Sequence, residues 1–141
     1  MSRPGDIVLF RFPQTDLTKG KLRPALLIQA LPGPYDAWLI SMISSQTHQY
    51  IEGFDEIVGI EDMDFSVSGL KQTSVIRIGR LAVVQHDMLA GGIGHIAPER
   101  LQRLRKNLAR WLTRNNWTQT PQALKKLKFT IALISPLNKR R

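Results

Sequence analysis

The apolar residues of this chain come in short runs, and the first two runs set the frame. Ile7-Val8-Leu9-Phe10 follows Pro4-Gly5-Asp6, and Ala25-Leu26-Leu27-Ile28 follows Leu22-Arg23-Pro24. Short runs rich in Val, Ile, Leu and Phe, bounded by Gly, Pro and polar residues, read as β-strands. The polar stretch between them is a loop of about ten residues. Proline at the first position of a strand removes no ladder hydrogen bond, so Pro24 fits the start of the second strand. Arg23 then stands beside a stiff neighbour at the mouth of an apolar sheet, where an anion can meet it.

The same punctuation continues. Leu31-Pro32-Gly33-Pro34-Tyr35-Asp36 is a turn cluster, and Ala37 to Ile43 a third, well-buried strand that runs into the polar segment Ser44-Ser45-Gln46-Thr47-His48-Gln49-Tyr50. Asp55 to Asp64 is acidic with intermittent Ile and Val, a weak strand and an exposed loop. Thr73 to Ile78 and Leu81 to Val84 read as two further strands, and Gly91, Gly92 and Gly94 as a flexible connection or tight hairpin. Many short strands separated by turns predict a small barrel or curled antiparallel sheet. One helix stands out. Pro98 suits a first helical turn, Glu99 lies near the positive end of the dipole, and Leu101, Leu104, Leu108 and Leu112 make one apolar stripe. Arg100, Arg103, Lys106, Arg110 and Arg114 lie largely off that stripe and read as a solvated face.

With 141 residues, the chain has the length of one domain. Its expected division is a barrel plus helix over residues 1–114 and a basic and apolar extension over 115–141. No apolar window is long enough to span a membrane, and the first residues lack the apolar core of a signal peptide. Cysteine is absent, which excludes a disulfide framework and any thiolate ligand or nucleophile. A soluble, cytoplasmic protein is expected. The net charge of +9 is unevenly placed. Residues 1–96 hold eight Lys/Arg against ten Asp/Glu, a net of −2, whereas residues 97–141 hold twelve against one, a net of +11. Basicity is C-terminal, so any RNA contact by the strand-rich part relies on a few placed residues.

An ordered set of motifs resembles the MazF/PemK family of toxin ribonucleases from bacterial toxin–antitoxin pairs. Gly5-Asp6-Ile7-Val8-Leu9 and Arg23-Pro24-Ala25-Leu26-Leu27 resemble the family's opening strands, and Ile43-Ser44-Ser45-Gln46 its polar turn after the third strand. Leu70 to Arg77 resembles the later Ser-Val-x-Arg strand, and Ile93 to Leu101 the entry to the last helix, with Ala97 where the family usually has a capping serine. The resemblance implies an SH3-like β-barrel, mainly β, with a C-terminal helix, working as a homodimer. It also implies cleavage of single-stranded RNA without a metal or other cofactor, and a cognate acidic antitoxin.

Carried over from the family, the catalytic residues are Arg23 and Ser44. The chemistry agrees. Attack of a ribose 2′-OH on the adjacent phosphate builds negative charge, which a permanently charged guanidinium stabilises. Ser44 can orient a phosphate oxygen or the 2′-OH, and can equally be a strand-end hydroxyl bonding backbone. His48 and Asp16 are candidate acid–base groups. Gln14, Thr15, Lys19, Lys21, Ser45, Gln46 and Arg77 are candidate RNA contacts, with Arg77 also readable as a barrel-rim ion pair. His86 and His95 have no partner at metal-ligand spacing, so no metal is expected. Two alternatives stay open: a toxin of the same fold that poisons gyrase, although the Trp-Gly pair of that class is missing, and a non-catalytic RNA- or protein-binding barrel.

Overall fold

The computed structural model describes residues 2–12 and 20–114. Six strands, β1 (Asp6–Arg11), β2 (Leu22–Ala30), β3 (Ala37–Ser44), β4 (Glu56–Val58), β5 (Ser74–Gln85) and β6 (Gly92–His95), form one sheet in the order β4-β5-β3-β2-β1-β6. The neighbouring strands all pair antiparallel, and the sheet curls into a half-barrel. A short helix, α1 (Phe65–Ser68), precedes β5, and α2 (Pro98–Leu112) follows β6. The barrel-type sheet and last helix agree with the sequence reading. The extension over 115–141 lies outside the described residues. Contacts divide the chain into two compact units, Met1–Ala109 and Arg110–Arg141. The first contains the whole sheet and most of α2. In the second, the Thr113 hydroxyl donates to the Arg110 carbonyl at 3.4 Å as the helix ends.

Alternation along the strands gives the sheet two apolar faces. Ile7, Leu26, Ile28, Ile43, Ile76 and Ile78 share a cluster with Leu101, Leu104 and Leu108 of α2. Val8, Phe10, Ala25, Leu27, Trp38, Ile40 and Val84 form a second cluster. A strand buried on both faces reads as a continuous apolar run, which is why β2 shows no polar alternation between Ala25 and Ile28.

Four local expectations need correction. The segments 73–78 and 81–84 belong to one strand, β5. Its register with β3 passes from Met42↔Arg77 to Ser41↔Leu81, leaving Ile78, Gly79 and Arg80 as a bulge. Asp55, only 2% exposed, stabilises that bulge by accepting the Ile78 N–H at 3.1 Å and the Ile51 N–H at 3.0 Å. The acidic segment is thus not simply an exposed loop. Gly92 and Gly94 are strand residues, paired with β1.

The fourth correction concerns the basic helix face. Arg100 is buried, with a bidentate pair of hydrogen bonds to Asp64 at 2.8 and 3.0 Å. It also donates to Glu56 at 3.2 Å, Asp62 at 3.1 Å and the Ile57 carbonyl at 2.7 Å. Asp64 in turn accepts the Ala97 N–H at 3.0 Å, doing from a distant loop what a capping serine does locally. These hydrogen bonds from Arg100 hold the Asp64 carboxyl below its ordinary value, against burial, which acts to raise it. Arg103 adds a 2.8 Å contact to Glu56. This flank of the helix is occupied by the fold.

Closure depends on glycine at the contact between α1 and β6. A Cβ on Gly94 would overlap the carbonyls of Val67 and Ser68, and one on Gly69 would overlap that of Ile93. Gly69 also ends α1 at a φ of 74°, a conformation that favours glycine. We expect Gly94→Ala to destabilise the protein by about 1–3 kcal/mol through backbone displacement, measured as a lower urea midpoint at unchanged slope.

Candidate functional site

Two strands carry the same gradient on one face. Along β2, Leu27 and Ala25 are buried and Arg23 is exposed; along β3, Trp38, Ile40, Met42 and Ser44 step from apolar to polar. Ala25 pairs with Met42, and the same register carried two residues further sets Arg23 opposite Ser44. Both therefore stand on one rung at the sheet rim. The sequence placed Pro24 at the first position of its strand, but it is the third residue of β2. It is tolerated for a different reason. Leu9, its partner on β1, bonds Gly91 and Ala90 through its own N–H and C=O, so Leu9 and Pro24 are not a hydrogen-bonded pair. The proline nitrogen therefore faces β3, whose pairing with β2 begins only at Ala25.

The rung separates two pockets. One, of about 390 Å³, is largely apolar and includes Leu9, Pro24, Ile43, Leu70 and Ile93, with Lys71 and Gln72 at its wall. The other, of about 450 Å³, includes Lys21, Arg23, Arg77 and Arg80 together with Gln46 and Gln49. Arg23 and Ser44 line both. No acidic residue is among the described lining of either. Arg23 makes no hydrogen bond or ion pair with the described residues, so its donors face the pockets. The loop returns to it through Gly20, whose carbonyl accepts from Arg11 at 3.3 Å. Ser44 is buried, and its Oγ accepts the Gln46 N–H at 3.1 Å, the backbone role foreseen for a strand-end hydroxyl. That bond leaves the hydroxyl proton to donate elsewhere.

Of the remaining candidates, the structure brings Lys21, Gln46 and Arg77 to the basic pocket and Ser45 to the apolar one. His48 lies exposed on the 3₁₀ turn Thr47–Gln49 and lines neither. Gln14, Thr15, Asp16 and Lys19 lie outside the described residues. Arg77 donates to Gln49 Oε1 at 3.0 Å and has no acidic partner among the described residues. The described residues contain no cluster of metal ligands, and none of their helices is long and apolar enough to cross a membrane.

Sequence reasoning missed Gln49, Lys71, Gln72 and Arg80. The signal for Arg80 was hidden by its spacing. Positions three apart on a regular strand point to opposite faces, and Arg77 and Arg80 reach one pocket because the bulge lies between them.

A curled antiparallel sheet with a helix after its last strand, and a basic rim at its strand ends, describes a small barrel-type protein. The chain belongs to the PemK-like, MazF-like toxin family of type II toxin–antitoxin systems, which matches residues 3–112. Among solved structures it is similar in fold to the Mycobacterium tuberculosis toxin MazF-mt6. The two are 20% identical over 78% of this chain and 96% of that one, with a TM-score of 0.53. No curated protein matches the chain. Members of this family are the toxin components of such pairs, and membership implies an antitoxin partner.

Proposed function

We propose that the protein is a metal-independent endoribonuclease that cuts single-stranded RNA at the Arg23–Ser44 rung. The observation that carries this reading is a rim guanidinium with no partner among the described residues, opposite a serine hydroxyl and between an apolar and a basic pocket. The ribose 2′-OH attacks the adjacent phosphorus, the bond to the 5′-oxygen of the next nucleotide breaks, and a 2′,3′-cyclic phosphate and a 5′-hydroxyl result. Arg23 stabilises the charge that accumulates on the phosphoryl oxygens, and the Ser44 proton points a further hydrogen bond at the same group. A guanidinium keeps its proton at neutral pH, so Arg23 stabilises charge rather than transferring a proton. The antitoxin, an acidic chain, and a second copy of the toxin are the expected protein partners.

The test is incubation of the purified full chain, with chelator present, with a mixed-sequence RNA. Cuts at a short recurrent sequence, carrying 2′,3′-cyclic phosphate ends, support the reading. Intact RNA together with inhibited purified gyrase would replace it with the gyrase alternative. Ser44→Ala should reduce the cleavage rate less than Arg23→Ala does, because serine supplies one neutral donor and arginine several charged ones. Equal losses in the two variants, read from initial rates at saturating RNA, would contradict that ranking.

A further inference from the structure

We propose that Ser2, His86 and Asp36 form a second, hydrolytic site for short-chain acyl esters, at the end of the sheet away from the Arg23–Ser44 rung. Arg23 lies at the start of β2 and Ser44 at the end of β3, whereas Asp36 lies in the turn that joins the other ends of those strands.

The three side chains stand in the order that nucleophilic catalysis needs. Ser2 Oγ is 2.7 Å from His86 Nε2, and Asp36 Oδ2 is 3.7 Å from Nδ1 on the other edge of the ring. With the ring proton on Nδ1, the side the carboxylate faces, Nε2 accepts the Ser2 hydroxyl and can take its proton. A separation of 3.7 Å exceeds a hydrogen bond, so Asp36 acts on the ring through its charge. It is a positioning residue.

The fold assembles this set from distant parts of the chain, with Ser2 and His86 84 positions apart. Ala37 pairs with Gln85 in the β3–β5 ladder, and next to that rung the His86 N–H donates to the Asp36 carbonyl at 2.8 Å. His86 then opens the 3₁₀ turn His86–Met88, which the Leu89 N–H closes on the His86 carbonyl at 3.1 Å. Ser2 is delivered by a separate turn. There the Arg3 N–H donates to Asp6 Oδ2 at 2.9 Å and the Asp6 N–H to the Arg3 carbonyl at 3.1 Å.

A pocket of about 350 Å³ opens beside the pair and is lined by both Ser2 and His86. Val8 and Leu89 give it an apolar wall, and Gly91, Gly92 and Gly94 leave room where side chains would stand, which suits a small acyl group. In the reaction the Ser2 oxygen attacks the acyl carbon and its proton passes to His86 Nε2. The bond from that carbon to the leaving oxygen then breaks, and His86 gives the proton to the departing alcohol. Water, deprotonated by the same imidazole, attacks the acyl-serine; the acid leaves and the proton returns to Ser2.

The test incubates full-length protein with p-nitrophenyl acetate. It follows p-nitrophenol release, and maps acetyl groups by mass after quenching in acid. We expect a burst of p-nitrophenol and an acetyl ester on Ser2 that decays as acetate forms. Ser2→Ala should abolish the burst, and His86→Asn should slow it by about 10²-fold, the loss of a general base. Asp36→Asn should slow it less, and Asp36→Glu, which keeps the charge, should recover part of that loss; a merely structural Asp36 would show no such recovery. All three positions are partly or fully exposed, and thermal melts confirm that the variants fold. Hydroxylamine strips an ester from serine but leaves the amides of acetylated amines, so stray acetylation of lysines is told apart. Acetyl groups found only as resistant amides would overturn the proposal. So would an acetyl-Ser2 that forms as fast in His86→Asn as in the parent, or one that never decays. RNA does not enter this assay, so its failure leaves the ribonuclease reading untouched.

Discussion

Replacing Arg23 with alanine is expected to lower the RNA cleavage rate by about 10²–10³-fold while leaving the melting temperature close to that of the parent. The magnitude is that of losing one preorganised donor to a developing oxyanion. The stability expectation follows from the site itself: Arg23 is exposed and supports no described hydrogen bond or ion pair, so its removal uncovers no buried partner. Arg23→Lys separates charge from geometry. Lysine restores the charge but not the planar fork, so it should recover part of the rate, chiefly at low salt. Initial rates on one purified RNA fragment, with circular dichroism melts of each variant, test both halves. An Arg23→Ala protein as active as the parent would place the chemistry elsewhere.

The largest effect on stability is expected at Arg100. Replacing it with methionine keeps much of the volume but leaves Asp64, 6% exposed, without its cation. Breaking a buried pair by removing one partner destabilises by about 3–5 kcal/mol, and Glu56 and Asp62 lose a partner as well. Acidity supplies a second readout. The folded protein holds the Asp64 carboxyl below its ordinary value of 3.8, so the stability it contributes is complete above that pH and is lost as pH falls through the folded value. In Arg100→Met the largest cause of the depression is gone and burial is opposed by backbone hydrogen bonds alone, that of the Ala97 N–H among them, so the carboxyl rises and its protonated form is favoured. The stability gap between variant and parent should therefore narrow on acidification. Urea denaturation at neutral pH and at a pH near 3.8 measures it; a gap constant across that range would remove Asp64 as the cause.

The strands from Asp6 to Ser44 and the helix from Pro98 were legible because each is specified locally, by apolar period and by proline and glycine at the ends. Arg23 was legible for the same reason: it adjoins a proline at the edge of an apolar run. Its pairing with Ser44 was not, because register is a relation between two strands and nothing within either one states it. The bulge in β5 hid more. It fused two apparent strands into one and aimed Arg80, yet its cause is Asp55, hydrogen-bonded from 23 residues away. Arg100 looked like one basic residue among several on a solvated face. Only the folded chain shows the acidic segment doubling back over it, with Asp64 reaching across 36 residues. Missing a local cap at Ala97 was itself a clue that the helix start had a partner elsewhere.

Arg100 has a counterpart on the same helix. Arg105 donates to the Ile28 carbonyl at 2.7 Å, at the point where the register of β2 with β3 shifts. Five residues along a helix amount to a rotation of roughly 140° beyond a full turn, so the two arginines leave the axis on different flanks. One engages the segment around Asp64 and the other engages the sheet, with the leucine stripe between them. Leucines alone would let the helix roll or slip by a turn with little penalty, since one apolar row resembles the next. Two polar anchors of different reach admit a single azimuth and a single height. The consequence is a rule for altering this protein: the leucines should tolerate exchange for other aliphatic residues, whereas an insertion or deletion between positions 100 and 105 should not be absorbed, even one that preserves the stripe.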